Sequence, residues 1–164
     1  MRVADSDVQG GADARAEADA VLTASRALLG VVARSLAPAL EEITLPQFRV
    51  LVILSAAGRP VRSGELATAL GVHPSTFSRT TDRLQAGGWV QRLENPDSGR
   101  ETLIGLQPRG RRLVDRVTRR RHAEIAKVLD RATPEARRQI LAGMHAFALA
   151  SGEPGPVELV ALGM

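Results

Sequence analysis

Glycine and proline punctuate the stretch from Val61 to Leu106 so closely that few folds can accommodate it. Ser63 to Leu70 carries Leu66, Ala67 and Leu70 at helical spacing. Gly71 comes next, where a helix stops, because glycine enters the left-handed conformation at no steric cost. His73-Pro74-Ser75-Thr76 then opens a second helix, with proline in the first turn, where a missing N–H costs nothing. That helix is predicted to run to about Ala86 and to stop at Gly87-Gly88. Two helices joined by so short a turn form a helix-turn-helix, and its second helix is shaped to enter a DNA major groove.

Within the second helix, Phe77, Thr81 and Leu84 fall at i, i+4 and i+7 and are expected to point inward. Ser75, Thr76, Ser78, Arg79 and Arg83 then face outward, and hydroxyls and guanidiniums suit phosphates and base edges. A solvated polar helix would show the same face, and the residues after Gly88 weigh towards the helix-turn-helix. Trp89-Val90-Gln91-Arg92-Leu93 alternates as a half-buried strand does. Glu94 to Gly99 is rich in turn formers, and Thr102 to Leu106 is a return strand. Arg100 is thereby placed near the tip of a hairpin, where an arginine on an arm suits a narrow minor groove.

This block resembles the winged helix-turn-helix of the MarR family of bacterial transcription regulators. The resemblance rests on Ser75-Thr76-Phe77-Ser78-Arg79-Thr80-Thr81-Asp82-Arg83-Leu84, on Gly88-Trp89-Val90 with Arg92, and on Leu45-Pro46-Gln47-Phe48-Arg49-Val50-Leu51 upstream. It extends over about Ala20 to Gly152. It implies a homodimer held by N- and C-terminal helices, a roughly palindromic double-stranded DNA operator, repression as the commoner outcome, and release by a small ligand, often an aromatic acid. Since only Phe48, Phe77, Trp89 and Phe147 are on hand to stack, a small aromatic effector, an apolar one and no effector at all stay open. One departure stands out. Ser98 occupies the place of the family's wing aspartate, succeeded by Gly99 and Arg100, so the arginine is kept and the brace is left open.

Composition narrows the possibilities further. Aromatic residues make up only 2% of the 164, so the core has to be built from Leu, Val, Ile and Ala. The net charge of +4 is compatible with nucleic-acid binding without proving it. Lys127 is the only lysine, a bias that a high-GC genome explains. No cysteine is present, which excludes disulfides, thiolate zinc sites and the resembling family's cysteine-based peroxide sensors. No apolar run approaches the ~20 residues that cross a bilayer, and the start lacks the apolar core of a secretory signal, so a cytoplasmic location is expected.

The chain is predicted to be mainly α with a small β-wing: a winged helix-turn-helix module plus N- and C-terminal dimerisation helices. Residues 1–14 are read as a disordered tail and 15–43 as the N-terminal dimerisation helix, with Val21 or Leu22, Ser25, Leu28 or Leu29, Val32, Leu36, Leu40 and Ile43 on one side. The DNA-binding domain covers 44–107. It opens on the capping box Thr44-Leu45-Pro46-Gln47, and the helix after it is expected to bury Phe48, Leu51, Val52 and Leu54 and to end at Gly58. Residues 108–152 form two further helices. Leu113, Val117, Ile125, Val128 and Leu129 mark the first, and Ile140, Leu141, Met144, Phe147 and Ala148 mark the second, which Thr133-Pro134-Glu135 opens. Residues 153–164 are read as an irregular tail. These terminal stripes exceed what one small core can cover, so pairing with a second copy is expected.

The candidate DNA contacts are Ser63, Ser75, Thr76, Ser78, Arg79, Arg83 and Arg100, with Arg79 as the base reader and Arg100 as the wing contact. Ser63 is expected to cap the first helix of the motif, its neighbouring N–H groups free for a phosphate. Arg83 can equally pair with a carboxylate inside the domain. Trp89 is read as a core ring. Arg111, Arg112, Arg116, Arg119, Arg120 and Arg121 are read as a solvated face with i, i+4 partners such as Asp115 and Glu124, the minority alternative being phosphate contact. His73, His122 and His145 have no metal-ligand spacing, so no metal and no other cofactor is expected, and no ligand-binding residue is named. A winged helix that docks a protein is the alternative function. An enzyme has no support, since no nucleophile–base pair or phosphate loop is apparent.

Overall fold

A computed structural model describes residues 4–96 and 98–151, apart from the side chains of residues 4–12 and 98–100. The order is α1 (Ala4–Leu40), α2 (Leu45–Ala57), β1 (Val61–Arg62), α3 (Ser63–Ala69), α4 (Pro74–Ala86), β2 (Val90–Asn95), β3 (Ser98–Leu106), α5 (Pro108–Leu129) and α6 (Pro134–Ala150). The fold is mainly helical around a small antiparallel sheet in the order β1-β3-β2.

Local chemistry sets most boundaries. The Thr44 hydroxyl accepts from the Gln47 N–H while the Gln47 side chain accepts from the Thr44 N–H, a complete capping box. Gly58 closes α2 at φ 64°, and Gly71 turns the chain between α3 and α4 at φ 66°. The Thr133 side chain caps α6 by accepting from the Ala136 N–H.

One aliphatic core joins the elements. Phe77, Thr81 and Leu84 of α4 are buried as their spacing requires, against a cluster that includes Leu51, Leu54, Leu66, Ile104 and Leu113. The Thr81 hydroxyl is satisfied by the Phe77 carbonyl at 3.0 Å. Trp89 is buried in the same cluster. Helices α1 and α5 reach it as well, through Leu36 and Ala39 with Ile43 just beyond α1, and through Val114 and Val117.

Several expectations need correction. The expected tail at 1–14 overlaps α1, which already includes Ala4, so Gly10 and Gly11 lie inside a helix. Alanine-rich sequence without an early proline lets the helix propagate past them. The inward side of α1 is Val31, Ser35, Leu36 and Ala39, whereas Leu40 is exposed. In α2, Val50 is buried and Val52 exposed, because the core wraps more than one side of that helix. Arg62 and not Ser63 occupies the N-cap of α3, and no side chain caps it. The two-residue strand β1, paired with Ile104 and Leu103, adds a third strand to the expected hairpin. The turn is shorter than Glu94 to Gly99, since β2 already includes Asn95 and β3 begins at Ser98. The Asp13–Leu40 segment is, by length and composition, apolar enough to cross a membrane, contrary to expectation. Alanine, leucine and valine raise its average although Arg26 and Arg34 interrupt it. The tail at 153–164 lies outside the described residues.

Large apolar side chains remain uncovered on the terminal helices. Val21, Leu22, Leu28 and Leu29 of α1, Ile125 and Val128 of α5, and Ile140, Leu141, Met144 and Phe147 of α6 are exposed. No α6 residue is buried.

Within the basic stretch of α5, Arg116 and Arg121 reach other elements and not the expected i, i+4 partners, while Arg111, Arg112, Arg119 and Arg120 are exposed and make no ion pair with a described residue. Arg116 pairs with Glu42 beyond the end of α1, and Arg121 donates to the buried Ser35 hydroxyl at 3.3 Å. Glu124 accepts from Lys127 at 2.8 Å and from Arg34 of α1 at 2.7 Å. These two cations, Lys127 first, hold its carboxyl down at about 2 instead of 4.5.

Two outcomes are expected. A Cβ on Gly110 would stand 2.6 Å from the Trp89 carbonyl oxygen, a backbone atom with little room to yield. Gly110→Ala is therefore expected to destabilise the fold by about 1–3 kcal/mol in urea denaturation. Because the folded value of Glu124 lies below its ordinary one, its stabilising contribution is complete above pH 4.5 and is lost as pH falls towards about 2. Glu124→Gln should flatten that part of the acid denaturation profile, and an unchanged profile would show that the pair contributes nothing.

Candidate nucleic-acid interface

Helix α4 is turned outward by its own buried face. With Phe77, Thr81 and Leu84 in the core, Ser75, Thr76, Ser78, Arg79 and Arg83 all lie exposed on the other side. The start of α4 is capped by His73, whose Nδ1 accepts from the Ser75 N–H at 3.3 Å and lies 2.9 Å from the Ser75 hydroxyl. An accepting Nδ1 requires the ring proton on Nε2. Sequence reasoning assigns no role to this histidine, although its position just before Pro74 is a cap position.

The arginines around α4 divide into two groups. Arg92 of β2 pairs with Asp82 at 2.8 Å and reaches the Ser78 carbonyl and hydroxyl at 3.5 Å, fastening the wing to α4. Arg62 pairs with Glu101 at 3.0 Å and with Glu65 at 3.2 Å. Arg79 and Arg83 make no ion pair with any described residue, so the internal carboxylate left open for Arg83 is not found. Asp82, its neighbour in sequence, is taken by Arg92.

An open groove of about 580 Å³ runs between α3, α4 and the wing. Ser63 and Gly64 line it from the first turn of α3, Ser78 from α4, and Glu101 and Thr102 from β3. Ser63 is half-buried there. Arg62 and Arg92 also line the groove, but Glu65, Glu101 and Asp82 offset their charge. The uncompensated positive charge of this surface is therefore on α4 itself.

The wing is braced without the aspartate missing at position 98. Glu101 accepts from Asn95 of β2 at 3.0 Å and pairs with Arg62 at the base of α3. The Arg62–Glu65 spacing is visible in the sequence, but Glu101 is brought to them only by the β1–β3 pairing. The strand register shifts between Glu94, which pairs with Thr102, and Asn95, which pairs with Ser98. Arg100 falls between these two registers, and its side chain lies outside the described residues.

Among the described residues, no cluster of His, Asp or Glu side chains has the arrangement of a metal site. Phe48, Phe77 and Trp89 are core side chains, so of the four aromatic residues only Phe147, on α6, is exposed.

Comparison with known proteins agrees with this geometry. The family model described as MarR family matches residues 43–102, the stretch from just before α2 into the wing. The multiple antibiotic resistance protein MarR of Salmonella typhimurium is 36% identical over 94 residues, covering 54% of this chain and 63% of that protein. The chain thus spans less than two thirds of that relative's length. The crystal structure of RV1404 from Mycobacterium tuberculosis superposes with a TM-score of 0.77 at 46% identity, covering 83% of this chain and 92% of that one. A transcriptional regulator of Thermotoga maritima gives a TM-score of 0.66 at 26% identity, over 80% and 92% of the two chains. A mutant of Staphylococcus aureus MepR bound to an oligodeoxyribonucleotide shares the fold at a TM-score of 0.63 and 18% identity, over 82% and 96%. With a matching family model over the winged module and a close structural likeness through the flanking helices, the chain belongs to the MarR family of transcriptional regulators.

Proposed function

We propose that the chain is a sequence-specific DNA-binding repressor that acts in the cytoplasm as a homodimer on a roughly palindromic operator. One observation carries this reading. Arg79 and Arg83 stand exposed on α4 with no ion pair to any described residue, while Arg62, Arg92 and Arg109 around them each have a carboxylate. A helix held by its buried face that presents uncompensated guanidiniums suits a polyanion, and a major groove has the width to admit it.

In this reading Arg79 grips a base edge, and Arg83, Ser75 and Thr76 meet phosphates or bases. Ser78 contributes while held by Arg92. Ser63 lines the groove where a backbone phosphate would enter, and Arg100 is the wing residue assigned to the minor groove. The uncovered apolar faces of α1, α5 and α6 pair with those of a second copy. Two reading helices then lie about one DNA turn apart, ~34–36 Å. A protein-docking role fits less well, because the outward face of α4 is polar and charged. A small apolar effector that releases the DNA would find Phe147 and the aliphatic helix faces and not the buried rings of the module.

These assignments predict two mutant phenotypes, read by fluorescence anisotropy on a duplex that the wild-type protein selects from a randomised pool. Arg79→Ala should lose about 1–3 kcal/mol on that duplex and little on a scrambled one. Arg100→Ala should weaken binding most at sites flanked by a narrow A·T-rich minor groove. If both variants match wild type in affinity and selectivity, the reading surface lies elsewhere. Binding that vanishes with salt equally for selected and scrambled duplexes would leave only a basic protein.

A further inference from the structure

Arg109 belongs to the first turn of α5, yet it touches three other parts of the fold. Its guanidinium carbon stacks 3.8 Å from the centroid of the Trp89 ring. Its Nη1 donates to the Gly87 carbonyl at 2.7 Å. Its Nη2 lies 3.8 Å from the carboxylate of Glu42, between α1 and α2, which Arg116 of α5 also engages. Gly87 is the C-cap of α4, so its carbonyl belongs to the negative end of that helix and has no partner within it. A cation aimed at this carbonyl is favoured by both charge and hydrogen bonding.

The joint has no slack. A Cβ on Gly87 would fall 2.5 Å from the indole Nε1 of Trp89, and one on Gly110 would meet the Trp89 carbonyl. The Gln107 N–H donates to that same carbonyl at 3.0 Å. The helix that ends in the uncovered Ile125 and Val128 face thus begins clamped onto the end of α4.

We propose that Arg109 is a positioning residue that sets the angle of α4 against α5, and through it the half-site spacing a dimer accepts; this rests on the DNA-binding reading above. Arg109 acts through the Gly87 carbonyl and the Trp89 ring. Glu42 holds it from the side, so the end of α1 joins the same clamp. A guanidinium suits this place because it stacks as a plane while directing separate N–H groups to a carbonyl and a carboxylate. An ammonium carries the charge without the plane.

The test uses the full chain. Trp89 is its only tryptophan and there is no tyrosine, so emission reports on this joint alone. The duplex selected by wild type is remade with one base pair inserted or removed between its half-sites. Arg109→Lys, which keeps the charge, and Arg109→Gln are expected to shift Trp89 emission. The wild-type preference for the selected spacing over the altered ones should fall about tenfold in both. For Arg109→Lys, low-salt binding to a scrambled duplex should stay within about twofold of wild type, since the phosphate-directed charge is unchanged. Glu42→Gln removes the lateral hold without touching the stack, and should lower the preference in the same direction by a smaller factor. Should either Arg109 variant be poorly folded by circular dichroism, Glu42→Gln decides. A spacing preference equal to wild type in the folded variants overturns the positioning role, whatever the emission does. A wild-type protein that selects no duplex overturns the DNA reading and this role with it, and is recognised before any variant is made.

Discussion

Leu113, Val114 and Val117 of α5 enter the same buried cluster as Phe77 and Leu84 of α4, Leu36 and Ala39 of α1, and Ile43 just beyond it. Among the described residues, the winged module, the end of α1 and the first half of α5 share this one core. The interior is almost wholly aliphatic, with Phe48, Phe77 and Trp89 as its rings. Close-packed interiors transmit displacement and do not absorb it. The orientation of the exposed face of α4 is therefore a property of the whole cluster, and the Gly110 contact with the Trp89 backbone is a point where that cluster cannot yield.

Charge is organised around that core by pairing. Asp82, Glu42, Glu65, Glu101 and Glu124 each occupy one or more cations, and most of these pairs join elements distant in sequence. Exposed ion pairs add little stability individually. Their value here lies in geometry: Arg92 fixes the wing to α4, and Arg62 with Glu101 fixes it to α3. Charge left over after this pairing is concentrated on the outward side of α4 and along α5.

Features set by local chemistry are legible in the sequence. Thr44 with Gln47, Gly58, Gly71, Pro74 and Thr133 act within a turn of themselves, so their meaning survives without tertiary context. The inward triad of α4 is legible because only one side of that helix is apolar. Helix α2 is apolar all round, so periodicity cannot distinguish Val50 from Val52. Strand β1 is two residues long and exists only because Ile104 and Leu103 are beside it. The outward residues of α4 can be read from spacing, while the bonds that orient them cannot. Arg109 and Trp89 are twenty positions apart, and nothing in either neighbourhood signals the stack.

Helix α6 has an ordinary cap and an apolar stripe, yet it buries none of its 17 residues against its own chain. A helix in a protein draws most of its stability from packing of its apolar face and little from its own propensity. Where a second copy supplies the missing surface, ordering of α6 and association of chains become one equilibrium, with a midpoint set by protomer concentration. At low copy number such a chain would spend more time with a frayed C-terminal helix open to proteases. Synthesis rate would then control the lifetime of the protein as well as its amount, so that active regulator accumulates more steeply than the chain is made.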